Sequence, residues 1–88
     1  MSQRVEETLM ALLSQVREGE SINPNDVAKA VATDLSNPDG WRRELPKVRA
    51  VATGMARQGR IEILRKGKPV DPEDARGIYR LRLPQTQA

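Results

Sequence analysis

Cysteine and histidine are both missing from the 88 residues. Without cysteine there is no disulfide framework, no thiolate nucleophile and no Cys-based zinc site, and without histidine as well the conventional catalytic triads lose their parts. Phenylalanine is absent too, and the aromatic residues are Trp41 and Tyr79 alone. A core must therefore come from small aliphatic side chains, which makes it thin for a chain of this size. The longest apolar run, Leu9 to Leu13, falls far short of the roughly 20 residues a membrane helix needs. The start, Met1-Ser2-Gln3-Arg4, leads into two glutamates and no apolar signal core. The expectation is a soluble cytoplasmic protein with one domain over residues 1–83 and a loose tail over 84–88.

What is present is charge, unevenly placed. The net charge is only +3, yet residues 1–40 hold three basic against seven acidic residues and residues 41–88 hold twelve against five. The halves stand at −4 and +7. Such a division suggests an acidic scaffold and a basic contact surface.

Periodicity supplies three helices. Val5, Leu9, Leu12, Leu13 and Val16 recur at helical spacing, predicting a first helix over Gln3 to Glu18, capped by Ser2 and ended by Gly19. Ser21-Ile22 is a strand stub able to join a later hairpin. Asn23-Pro24-Asn25-Asp26 is a helix start, with a capping side chain, proline at the first helical position and an acid near the positive end of the dipole. Val27, Ala28, Val31 and Leu35 give that second helix its buried stripe, and Ser36 to Gly40 is turn chemistry. A third helical region runs from Trp41 to about Gln58, and Pro46 inside it predicts a short turn over Trp41 to Glu44 with the main helix beginning at Pro46. Leu45, Val48, Val51, Ala52 and Met55 face inward, leaving Arg43, Lys47, Ala50, Gly54 and Arg57 outside.

Gly59 ends that helix, and two strands follow, Arg60 to Lys66 and Ile78 to Leu83, joined by a Gly/Pro-rich loop over Gly67 to Gly77. Ile61 and Ile63 share one face, as do Tyr79, Leu81 and Leu83, with Arg80 and Arg82 opposite. Asp71-Pro72 reads as a cap and tight turn. The fold class is α+β, mainly α: a winged helix-turn-helix of three helices plus a C-terminal β-hairpin wing.

The segments Val27-Ala28-Lys29-Ala30, Trp41-Arg42, Val48-Arg49-Ala50-Val51-Ala52, Gly59-Arg60-Ile61, Lys66 to Pro72 and Arg76-Gly77-Ile78-Tyr79-Arg80-Leu81 together resemble a family of small bacterial proteins of unknown function with a winged-helix fold. The resemblance covers Ser21 to Leu83, and its most specific piece is Gly67-Lys68-Pro69-Val70-Asp71-Pro72 followed by Gly77 and Arg80. It implies a fold and no activity. Function has to come from the site, since winged helices also serve as protein-docking modules.

For DNA the useful groups are Arg42, Arg43 and Lys47 at the start of the third helical region, Arg49 and Arg57 along it, and Lys66, Lys68 and Arg76 around the wing. Such cations neutralise phosphates, and an Arg in the major groove can hold guanine bidentately. Ala50, Thr53 and Gly54 are small enough for the helix to sit deep in a groove. The plain alternative is a set of solvated charges on a small soluble protein. Against DNA stand Asp71, Glu73 and Asp74, which would repel phosphates from the loop tip unless Asp71 caps a turn and Asp74 pairs with an arginine. Trp41 is more readily a core anchor than a base-stacking ring. Ala50 and Gly54, four apart, could mark a homodimer seam. The carboxylates lie on a loop without the rigid support that acid/base or metal chemistry needs, so no enzyme activity, cofactor, metal or small-molecule substrate is expected. The resulting expectation is a double-stranded-DNA-binding protein of the transcriptional-regulator type, with the third helix in the major groove and Lys66 and Lys68 at the stem of the wing on the flanking backbone, and with a protein-interaction or dimerisation module as the alternative.

Overall fold

The computed structural model describes residues 3–85. Three helices, α1 (Gln3–Gln15), α2 (Pro24–Asp34) and α3 (Trp41–Arg57), accompany four strands, β1 (Ser21–Ile22), β2 (Glu62–Arg65), β3 (Lys68–Val70) and β4 (Arg80–Arg82). All pairings are antiparallel, in the order β1-β4-β2-β3. The strand stub does join the later sheet, Ile22 pairing with Leu81. Among the described residues no helix is long and apolar enough to cross a membrane.

Local chemistry explains most boundaries. The Asn23 side chain accepts a hydrogen bond from the Asn25 N–H at 2.8 Å, with Pro24 opening the helix, so α2 begins where the residue types require. Gly59 ends α3 in the left-handed conformation, φ 75°, while the Arg60 N–H reaches back to the Met55 carbonyl and the Gly59 N–H to that of Ala56. This paired closure satisfies carbonyls that a simple helix end leaves open.

Four expectations need correction. First, α1 stops at Gln15, three residues before Glu18; the proposed Ser2 cap lies outside the described residues, as does most of the tail. Second, Leu35 is 47% exposed and serves as the C-cap of α2, and Ala32 takes its place in the buried stripe. Third, α3 runs unbroken through Pro46. A proline inside a helix costs about 3 kcal/mol, but its missing donor here falls on the exposed face, where water can reach the bereft Arg42 carbonyl. Fourth, the strands are shorter than predicted and the loop between them is structured: Lys66 and Gly67, φ 53° and 79°, make a two-residue turn that folds β3 back on β2. Positive φ at both central residues suits the right-handed twist of a hairpin. Beyond β3 the chain makes one 3-10 turn over Pro72–Asp74 and returns as β4 between β1 and β2.

The core is a single cluster. Val5, Leu9 and Leu13 of α1 meet Val27, Ala28 and Val31 of α2 and Val48, Ala52 and Met55 of α3, above the sheet residues Ile22, Ile63 and Leu81 and Ile61 just before β2. Trp41, Leu45, Tyr79 and Leu83 pack against its margin. Leu81 is fully buried at the centre of the sheet, whereas Ile78, three residues earlier, is 89% exposed. Leu81→Ala is therefore expected to cost about 2–5 kcal/mol in urea unfolding and Ile78→Ala less than about 0.5 kcal/mol. Asn23→Ala should cost about 1 kcal/mol through the lost cap.

Candidate nucleic-acid interface

Because Val48, Val51, Ala52 and Met55 are held in the core, the 3.6-residue repeat turns Arg42, Pro46, Arg49, Ala50, Thr53 and Arg57 outward. From Pro46 onward that outer face, with Leu45, forms one wall of a groove of about 1000 Å³. The start of α2, Asn23 to Asn25, and the approach to β4, Gly77 to Tyr79, form its other sides. No carboxylate lines it, and its cations are Arg49 and Arg57. Eight residues apart, their Cα atoms are spaced roughly 12 Å along the helix axis.

The remaining predicted site residues are exposed but dispersed. Arg42 turns back over the Trp41 ring, its Cζ 4.6 Å from the ring centroid, and Lys29 of α2 approaches the same ring at 4.9 Å. The indole is thus a half-buried core anchor that also holds two cations. Lys47 sits 3.7 Å from the Glu44 carboxylate, whose Oε1 finds no hydrogen bond. Arg43 projects freely from the first turns of α3. Lys66 lies in the two-residue tip of the β2–β3 hairpin and Lys68 directly follows it, so both stand at the tip and not at the expected stem of the wing, and neither lines the groove. Arg76 lies 3.9 Å from Asp74, the pairing the sequence suggested. Ala50 borders both the main groove and a shallower one of about 230 Å³ that Gly54 shares with Glu6 of α1. Among the described residues, Arg42, Arg43, Arg49, Lys66 and Lys68 have no carboxylate within 4.0 Å.

The acidic wing needs revision. Asp71, Glu73 and Asp74 are not at the tip of the hairpin, which is Lys66-Gly67; they lie on the return leg, and Glu73 is 3.9 Å from Arg57 at the end of α3. The Asp71 side chain caps nothing; its backbone carbonyl takes the Asp74 N–H at 2.8 Å. Two other arginines are committed to structure. Arg82 binds the carboxylate of its cross-strand partner Glu62, and Arg80 donates to the Ser21 hydroxyl and carbonyl.

Sequence reasoning missed Ile78, Asn23, Asn25 and Arg65 as neighbours of this surface. The Arg65 guanidinium lies 3.7 Å from where a side chain at Gly77 would begin, so it supports the groove's far lip. Nothing in a linear pattern signals that proximity. Lys29 was obscured because it belongs to the acidic half.

Three helices and a small antiparallel sheet in this order are consistent with the winged helix-turn-helix class. The family model described as "Protein of unknown function (DUF3253)" matches residues 2–84, and the chain belongs to that family. No curated protein matches it.

Tyr79 gives the groove a measurable property. Burial raises its phenol above the ordinary 10.0, opposed by the nearby Arg49 guanidinium, which favours the phenolate. A raised folded-state value means that Tyr79 contributes stability fully below the unfolded value and loses that contribution as pH climbs through the folded one. As the chain's one tyrosine, it can be followed alone by phenolate absorbance. The midpoint should lie above 10.0 and move further up in Arg49→Ala; a midpoint at or below that value in folded protein contradicts the assigned burial.

Proposed function

We propose that this chain binds double-stranded DNA, with α3 entering the major groove and Lys66 and Lys68 contacting the flanking backbone. The observation that carries the reading is the outer face of α3. Its inner face is fixed in the core, and outside it presents Arg42, Arg43 and Arg49, each without a carboxylate within 4.0 Å among the described residues, beside small Ala50 and Thr53. A helix so cationic and so little obstructed suits a polyanion that admits one helix at a time. The basic hairpin tip, clear of Asp71, Glu73 and Asp74, supports backbone contact there.

Binding to duplex DNA across a salt series tests the proposal. With roughly five phosphates neutralised, log K should fall against log salt with a slope of about −4 to −5. Arg43→Ala and Arg49→Ala should each reduce that slope by about 1, while Arg4→Ala, at an exposed position of α1, leaves it unchanged. A flat salt response would remove the idea.

A second reading is favoured by the open space around Gly54, where an added side-chain carbon meets nothing within 4 Å. Ala50 and Gly54 would then form a homodimer seam. In a monomer, Gly54→Ala stabilises α3 by about 0.5–1 kcal/mol and changes no assembly. In a close seam the added methyl weakens a dimer seen by sedimentation at several concentrations. A strict monomer at all of them counts against the seam.

A further inference from the structure

Ile78 is the most exposed large apolar side chain among the described residues, at 89%. A solitary exposed isoleucine is ordinary on a protein surface. What distinguishes this one is its position. It stands on the lip of the groove opposite Arg49 and Arg57, follows Gly77 at φ 65°, and is anchored on its other side by Tyr79, packed at the core margin. The Arg65 guanidinium lies against the same Gly77 backbone, with its Nε buried and without a hydrogen-bond partner. A branched apolar side chain thus projects outward between Gly77 and the packed Tyr79, with guanidinium groups on either side; no carboxylate lines the groove, although Glu73 stands 3.9 Å from Arg57 outside that lining.

A protein partner seated there would have to supply an apolar pocket for Ile78 and anions for the arginines. Duplex DNA supplies both at once: phosphates for the cations and, in the major groove, the one apolar feature of a base edge, the C5-methyl of thymine. We infer that Ile78 is a base-reading residue, which contacts a thymine methyl beside the bases met by α3. The inference rests on the DNA-binding reading and adds to it a source of sequence preference that no cation provides. Phosphate contacts position a protein without reading sequence, so the two contributions are separable.

The experiment uses the full chain and a pool of duplexes with a randomised centre, selected on the wild-type protein. The enriched duplexes are resynthesised with uracil in place of thymine, which removes the methyl and leaves every hydrogen-bonding edge intact. At one salt concentration, affinities of the wild type and of Ile78→Ala are measured for both versions. Losing one buried methyl contact should weaken the wild type about fourfold on the uracil duplex, while Ile78→Ala binds both versions nearly alike. Both proteins should retain the same salt slope, since no phosphate contact has changed.

Equal thymine-to-uracil ratios in the two proteins would overturn the inference while leaving DNA binding in place. Absence of duplex binding at any salt would remove the DNA reading itself, and this inference with it. A wild-type dimer that dissociates in Ile78→Ala, with the thymine-to-uracil ratio unmoved, would instead make the lip a contact between two copies. Unchanged thermal unfolding of Ile78→Ala keeps misfolding out of the comparison.

Discussion

The inner face of α3 is the constraint from which the surface follows. Val48, Ala52 and Met55 are buried against α1, α2 and the sheet, and a helix fixed on one side has no freedom left in what it shows on the other. Rotating α3 by even one residue would drag Arg49 towards the core, where an unpaired guanidinium is far more costly than the aliphatic contacts are favourable. The cationic outer face is therefore as well determined as the core. Pro46 belongs to the same logic: placed outward, it removes a donor on the side where solvent can compensate, and the inward stripe continues undisturbed.

Much of this was legible in the residues because the deciding interactions are local. Asn23-Pro24 announces α2 through a contact two residues long, and Gly59 announces the end of α3 through a conformation that other residues adopt reluctantly. The inward set of α3 follows from its period. The errors came where a local rule met tertiary context. Pro46 read as a break because the rule takes no account of which side of the helix it faces. The strand at Lys68–Val70 stayed hidden because two of its three residues are exposed and one is proline, leaving no alternating pattern to detect. Its proline is tolerable because β3 lies at the sheet's edge.

The candidate site was legible as a composition and not as a geometry. Counting charges found the basic half, but Arg60, Arg80 and Arg82 also contribute to that count and are bound to Glu6, Ser21 and Glu62. Partners 54, 59 and 20 residues away in sequence make those commitments, beyond the reach of any window. The same distance problem hid Ile78 and Arg65, which gain meaning only when the return leg of the wing crosses α3. Lys29 shows the converse, a cation of the acidic half that the fold carries across to the Trp41 ring.

Charge is also graded along α3. Arg42, Arg43, Lys47 and Arg49 crowd its first half, while at the far end Arg57 stands 3.9 Å from Glu73, with Asp71 and Asp74 on the same return leg. Both members of that ion pair are largely exposed, so the pairing itself is weak; with Arg76 also 3.9 Å from Asp74, cations and acids come close to cancelling where the helix ends, and the net positive charge lies at its start. A polyanion approaching this surface would be drawn most strongly to the N-terminal half and less strongly to the C-terminal one. The same gradient favours a tilted approach over an even one along the length of α3, with Arg57 and the Ile78 lip meeting the duplex less closely than the first turns. An end-on tilt with the first turns deepest is the arrangement electrostatics favours, and in helix-turn-helix proteins it is the N-terminal residues of the recognition helix that meet the base edges. The acids that looked like an obstacle in the sequence would thus act, for a duplex, as the element that sets its orientation.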